Sequence, residues 1–166
     1  MASNIFLRPR AGFGRLAIYL LIFVGAALAL NGWIFSTGAI GWSRGLSNPD
    51  WAPPGAVIGA VWVGLFALMA IALWCVDRFG MDARKDFARA GIVAQYLLNM
   101  SWTWAYFGLQ NVANGFYVTV AAWALGVVVL VATFRAARAA GLLLLPLQGW
   151  LTFALALSWA AWRLNV

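Results

Sequence analysis

Two stretches of this chain carry residues whose types and spacing could do chemistry. In the first, Gln95, Asn99, Trp102 and Tyr106 recur at helical spacing and so share one face of a helix. Amide side chains are costly against lipid, so this face should look into a bundle. There it would act either as interhelical hydrogen-bond glue or as the lining of a ligand pocket, and the residues alone leave both open. The second stretch runs from Trp42 through Leu46, Pro49, Trp51, Pro53 and Pro54. Its prolines fix φ and remove backbone donors, so the segment is expected to resist helix formation. Its tryptophans and Leu46 make it apolar for a loop. It reads either as a rigid lid over the bundle mouth or as an interfacial aromatic belt with a helix-starting proline pair.

Two further stripes have the same spacing: Trp62, Phe66 and Met69, and Trp150, Ala154, Leu157 and Ala161. Such stripes usually serve packing. Several of them converging on one apolar bundle would also wall in a flat, greasy ligand such as a tetrapyrrole or a sterol.

Missing residue types narrow the chemistry further. The chain has no histidine and no glutamate, and its only acids are Asp50, Asp77, Asp82 and Asp86. That removes an imidazole base, the usual haem ligand and a His-based zinc site, and it argues against ordinary acid–base or metal catalysis. The single cysteine, Cys75, excludes an intrachain disulfide and a CxxC redox pair. No acid falls in the middle of an apolar run, which argues against proton-coupled transport. No metal site and no tightly held cofactor are expected.

These residues must be positioned by membrane helices. Of the 166 residues, 65% are hydrophobic and only 9% charged, against the roughly 25% charged of a soluble domain. Five continuously apolar runs, about 16–40, 56–76, 88–109, 115–134 and 142–162, each approach the ~20 residues needed to cross a bilayer core. Their lack of strict alternation favours helices over a barrel. The expected fold is therefore all-α, an integral membrane bundle of five transmembrane helices forming a single domain over residues 1–166. Residues 41–55 form the lid-like linker, and 77–87 are expected to be a charged, exposed turn.

The net charge of +7 does not point to nucleic acid, because the basic residues sit at the ends of apolar runs. They read as topology signals and contacts to anionic lipid. Arg8, Arg10, Arg15, Arg78, Arg84, Lys85, Arg89, Arg135 and Arg138 share one side; Arg44 and Arg163 take the other. This bias predicts a cytoplasmic N-terminus and a C-terminus on the opposite face, in a bacterial inner membrane.

The motifs resemble those of the translocator protein, or tryptophan-rich sensory protein, family (TspO/MBR). One block is Trp42, Leu46, Pro49, Trp51, Pro53 and Pro54, followed by Trp62, Leu65 and Phe66; a second is Gln95, Leu98, Asn99, Trp102, Phe107 and Gly108. A third is Pro146, Trp150, Phe153, Ala154, Trp162, Arg163, Leu164 and Asn165. The resemblance implies a five-helix bundle, commonly a homodimer, with an intramembrane pocket closed by the first linker. Family members bind porphyrins, haem-related pigments, cholesterol and drug-like molecules. Bacterial members are linked to regulation of pigment synthesis, and some to light-dependent porphyrin breakdown. On this match Trp42, Trp51, Trp62, Asn99, Trp102, Trp150 and Ala154 would line or close the pocket, with Ser158 where an Asn is usual. The chain departs from the family at Ser43, Asn48, Gly55, Ala56 and Leu147, and its last helix lacks the tyrosine of the sterol-type motif. The implied function is a membrane sensor for tetrapyrrole-like ligands; the alternative is an assembly subunit of a larger pigment–protein membrane complex.

Overall fold

A computed structural model describes residues 11–80 and 82–166. Among them every regular element is helical: α1 (Phe13–Ser36), α2 (Ala39–Arg44), α3 (Gly55–Phe79), α4 (Asp82–Thr103) running on into a π-helical turn (Trp104–Gly108), α5 (Val112–Ala136) and α6 (Arg138–Leu164). Four of these, α1, α3, α5 and α6, are long and apolar enough to cross a membrane. The expected third span does not meet that standard by itself. Its helix begins six residues earlier than the apolar run and includes Arg84, Lys85, Asp86 and Arg89.

Around the bundle the helices are arranged α1, α3, α6, α5, α4, which is not their order in the chain. The pairs α5–α6 and α4–α5 pack most extensively, α3 contacts α1, α6 and α4, and the small α2 rests on α1 and the π-turn. The core is built from Phe66, Met69, Leu73 and Val76 of α3, Ile92 and Tyr96 of α4, Ala122 and Val129 of α5, and Leu144, Leu147 and Leu151 of α6. Small residues allow close approach: a Cβ on Gly141 would overlap the Phe134 ring, and one on Gly126 would strike Gln148 and Leu151.

Two linkers differ from expectation. Residues 41–44 of the first linker are helical, as part of α2, because its prolines all lie further on, from Pro49 to Pro54. Gly38 makes the break possible by taking φ 71°, a left-handed conformation that suits glycine. The charged turn expected over 77–87 is instead almost wholly helix, and Asp77 is 3% exposed. Its carboxylate accepts from Tyr19 Oη (2.5 Å) and Arg15 Nη1 (3.3 Å) of α1. Arg89 Nη2 of α4 lies 2.9 Å from Oδ1 and 3.0 Å from Oδ2.

This node ties three helices at one end. It matters most for α1, whose outer face leaves Leu21 75% and Phe35 74% exposed. Beside it, Trp74 Nε1 donates to Gly12 O and Arg78 Nη1 to Ala11 O. Further along α1, Phe23 stacks on Tyr96 at 4.0 Å, and Tyr96 Oη donates to Phe23 O.

Removing the Tyr19 hydroxyl should cost about 1.5 kcal/mol, the lower end for a hydrogen bond to a charged group. Asp77→Asn should cost more, because two guanidinium groups then lose their counter-charge. Thermal unfolding in detergent should rank wild type above Tyr19→Phe and Tyr19→Phe above Asp77→Asn. An Asp77→Asn variant as stable as wild type would remove the node from the account.

Candidate functional site

The inward face of α4 is the centre of the site. Gln95 and Asn99 are buried, and Trp102 and Tyr106 half-buried, one helical turn after another. Gln95 Nε2 donates to Ala122 O across to α5 (3.0 Å) and to Asn99 Oδ1 (3.3 Å). This leaves Gln95 Oε1 and Asn99 Nδ2 buried with no partner among the described residues. One free acceptor and one free donor therefore sit on adjacent turns of one helix. The face thus acts as glue toward α5 and leaves two polar atoms open.

The π-turn shapes the mouth of this face. Trp102 stacks on Tyr106 at 4.7 Å, with Phe107 at the edge of both rings. The Trp102 indole is fixed by donating to Gly115 O (2.9 Å) and Thr119 Oγ1 (3.0 Å). Gly115 is required here: a Cβ would lie 2.6 Å from Tyr106 Cδ2. Gln110 closes the turn at φ 48°, an uncommon conformation for a side-chain-bearing residue. Asn111 then caps α5 by accepting from Asn114 N.

The linker's tryptophans reach two different helices. Trp42, on α2, meets Tyr106 edge-on at 5.2 Å, and Trp51 meets Phe153 of α6 edge-on at 5.8 Å. Phe153 in turn contacts Trp150 at 5.2 Å. Leu46, Pro49 and Pro53 are half-buried and Pro54 exposed, with Pro54 as the N-cap of α3. Two aromatic chains result, Trp42–Tyr106–Trp102 and Trp51–Phe153–Trp150. The Trp150 Nε1 is a third buried polar atom without a partner among the described residues. Trp62 belongs to a separate cluster with Phe66 and Tyr96. Ala154 and Ser158 are half-buried, and the Ser158 hydroxyl is spent on Leu155 O of its own helix.

A groove of about 420 Å³ opens outward between α5 and α6. It is lined by Phe116, Val120, Thr152, Leu155, Ala156 and Trp159, and by none of the expected site residues.

Sequence reasoning placed Asn165 in a family motif but gave it no role. Asn165, at the end of α6, clamps the backbone of Ser47 from both sides: Ser47 N donates to Asn165 Oδ1 (3.0 Å), and Asn165 Nδ2 donates to Ser47 O (2.8 Å). The residues are 118 positions apart, and no local spacing could have signalled the pairing. Asn165→Ala should release the loop. Hydrogen exchange at the Ser47 amide should quicken about tenfold, the equivalent of one to two modest hydrogen bonds, while core amides of α3 keep their protection. Unchanged exchange at Ser47 would show that the loop is held elsewhere.

The model of the TspO/MBR family matches residues 17–163. Protein CrtK of Rhodobacter capsulatus is 33% identical over 154 residues, covering 90% of this chain and 94% of that protein. The tryptophan-rich sensory protein of Cereibacter sphaeroides is 32% identical, covering 83% of this chain and 88% of its own. The human translocator protein is 29% identical over 75% of each. The match spans the loop, the α4 face and α6 together, and the chain belongs to the TspO/MBR family.

Proposed function

We propose that this protein is a membrane sensor that takes a flat, largely apolar ligand of the tetrapyrrole class between α4, α6 and the 45–54 loop, acting as a lid. The observation that carries this reading is the set of unpaired buried polar atoms, Asn99 Nδ2, Gln95 Oε1 and Trp150 Nε1, beside two aromatic chains. Each such atom left open costs about 1–3 kcal/mol. A ligand with pyrrole or carbonyl groups on its edge recovers that cost, and its π-faces stack on Trp102 and Trp150. Asn99 donates to the polar edge. Trp51, half-exposed and held edge-on by Phe153, is the movable part of the wall. Binding is non-covalent and the protein is not an enzyme in this reading; photochemistry would belong to the pigment.

The same reading supplies the fifth membrane crossing. From Ala90 to Gly108, α4 and its π-turn carry no charged residue, a stretch close to the ~20 residues a bilayer core needs. With five crossings the basic ends fall on the cytoplasmic side and the loop and C-terminus on the other, in an inner membrane. The relatives' names, tryptophan-rich sensory protein and translocator protein, agree with a receptor-like role.

A second reading, association with another copy or a partner membrane protein, has one observation in its favour. Ala26 and Ala29 of α1 are exposed, and nothing lies within 4 Å of where a Gly25 Cβ would be, whereas Ala27 faces the bundle. Stable co-purification of a partner in mild detergent would favour that role.

The ligand reading is tested with protoporphyrin and intrinsic tryptophan fluorescence. Wild type should quench saturably. Trp102→Ala, Trp150→Ala and Asn99→Ala should each weaken binding about tenfold, the loss of one stacking or hydrogen-bonding contact of ~1.4 kcal/mol. Trp159→Phe, in the outer groove, should leave affinity unchanged. Equal affinity in wild type, Trp102→Ala and Trp150→Ala would overturn the pocket.

A further inference from the structure

Three cations converge where α1, α3 and α4 end. Arg15 and Arg89 both reach the Asp77 carboxylate, and Lys85 Nζ donates to Asp77 O at 2.6 Å. One buried carboxylate thus faces three positive groups. In sequence the same helix ends carry Arg15, Arg78, Arg84, Lys85 and Arg89 against Asp77, Asp82 and Asp86, so positive charge remains in excess. The Asp77 side chain is fully buried, but those of Arg15 and Arg89 stay 46% and 41% exposed. Each guanidinium contributes one nitrogen to Asp77, which leaves other N–H groups of its fixed fork available to a second anion.

The surroundings define that anion. Phe13, Phe79 and Phe87 are 71%, 55% and 63% exposed at the same end, an aromatic rim of the kind found at headgroup depth. Arg78 is occupied differently: its guanidinium lies 5.3–5.8 Å from the Phe13, Trp74 and Phe79 rings and donates to Ala11 O. A free phosphate would meet the cations but not use the rim. A lipid phosphate uses both, with its chains beside the exposed apolar face of α1.

We infer that Arg15, Lys85 and Arg89, pre-oriented by buried Asp77, form a binding site for the phosphate of an anionic phospholipid at the α1–α3–α4 end of the bundle. Arginine forks match phosphate geometry. Asp77 serves as the internal strut that holds two forks from separate helices toward one point.

The test is native mass spectrometry of the purified full chain, given equal phosphatidylglycerol and phosphatidylcholine in detergent. Wild type should retain phosphatidylglycerol preferentially. The Arg15→Gln/Arg89→Gln variant should lose about thirtyfold in affinity for that lipid, consistent with two near-surface cations. Arg135→Gln/Arg138→Gln, at the α5–α6 turn, should keep it. Millimolar inorganic phosphate should not displace the lipid. Equal loss in both double variants, no lipid preference in wild type, or displacement by inorganic phosphate would each overturn the proposal. If the arginine variant fails to fold, Lys85→Gln decides: a loss of about fivefold supports the site, and unchanged retention overturns it.

Discussion

Lipid offers no hydrogen-bond partner, so a polar group inside this bundle must find one within the protein or go without. The polar side chains of the interior sort themselves by how well they meet that constraint. Asp77 meets it with Tyr19, Arg15 and Arg89, and in doing so fastens the loosely packed α1 to α3 and α4. Trp102 meets it twice, through Gly115 O and Thr119, and so sets the position of the π-turn. Gln95 meets it by half, and Asn99 Nδ2 and Trp150 Nε1 do not meet it at all. The satisfied groups build the scaffold. Thr133 Oγ1 and Gln148 Oε1 are open as well, and what sets Asn99 and Trp150 apart is the aromatic chain beside each.

The same constraint explains what could be read in advance. Apolar runs long enough to span a bilayer are unmistakable, and the helices over α1, α3, α5 and α6 follow from them. The α4 face was equally legible, because four polar and aromatic residues at helical spacing in an apolar run have few alternatives to facing inward. Helix ends were not legible, since hydropathy records where lipid could begin and not where backbone hydrogen bonding stops. Thus 77–87 looked like a turn from its charges. Its charged residues continue the helices instead, and Asp77 is covered because arginines reach it from positions 62 and 12 residues away.

The loop divides in the same manner. Its prolines mark the extended part, while Trp42 falls on α2, ahead of them, and reaches Tyr106 from a helix. Its attachment depends on Asn165, where a side-chain amide imitates a backbone strand to hold Ser47. Membership of the TspO/MBR family accounts for the recurrence of these motifs. The physical reason for each lies in the contacts: Gly115 for ring clearance, Asn99 for an open donor, Asn165 for the clamp.

In the proposed reading a ligand completes the open polar atoms beneath the loop. Side-chain-resolved NMR of the Asn99 amide and the Trp150 indole N–H, recorded while protoporphyrin is added, tests it most directly. Both signals should shift together and saturate, while the Trp74 indole, bonded to Gly12 O at the far end of α3, should stay in place. Movement of Trp159 and other outward-facing signals with Asn99 and Trp150 unchanged would put the ligand on the lipid-facing surface and contradict the claim.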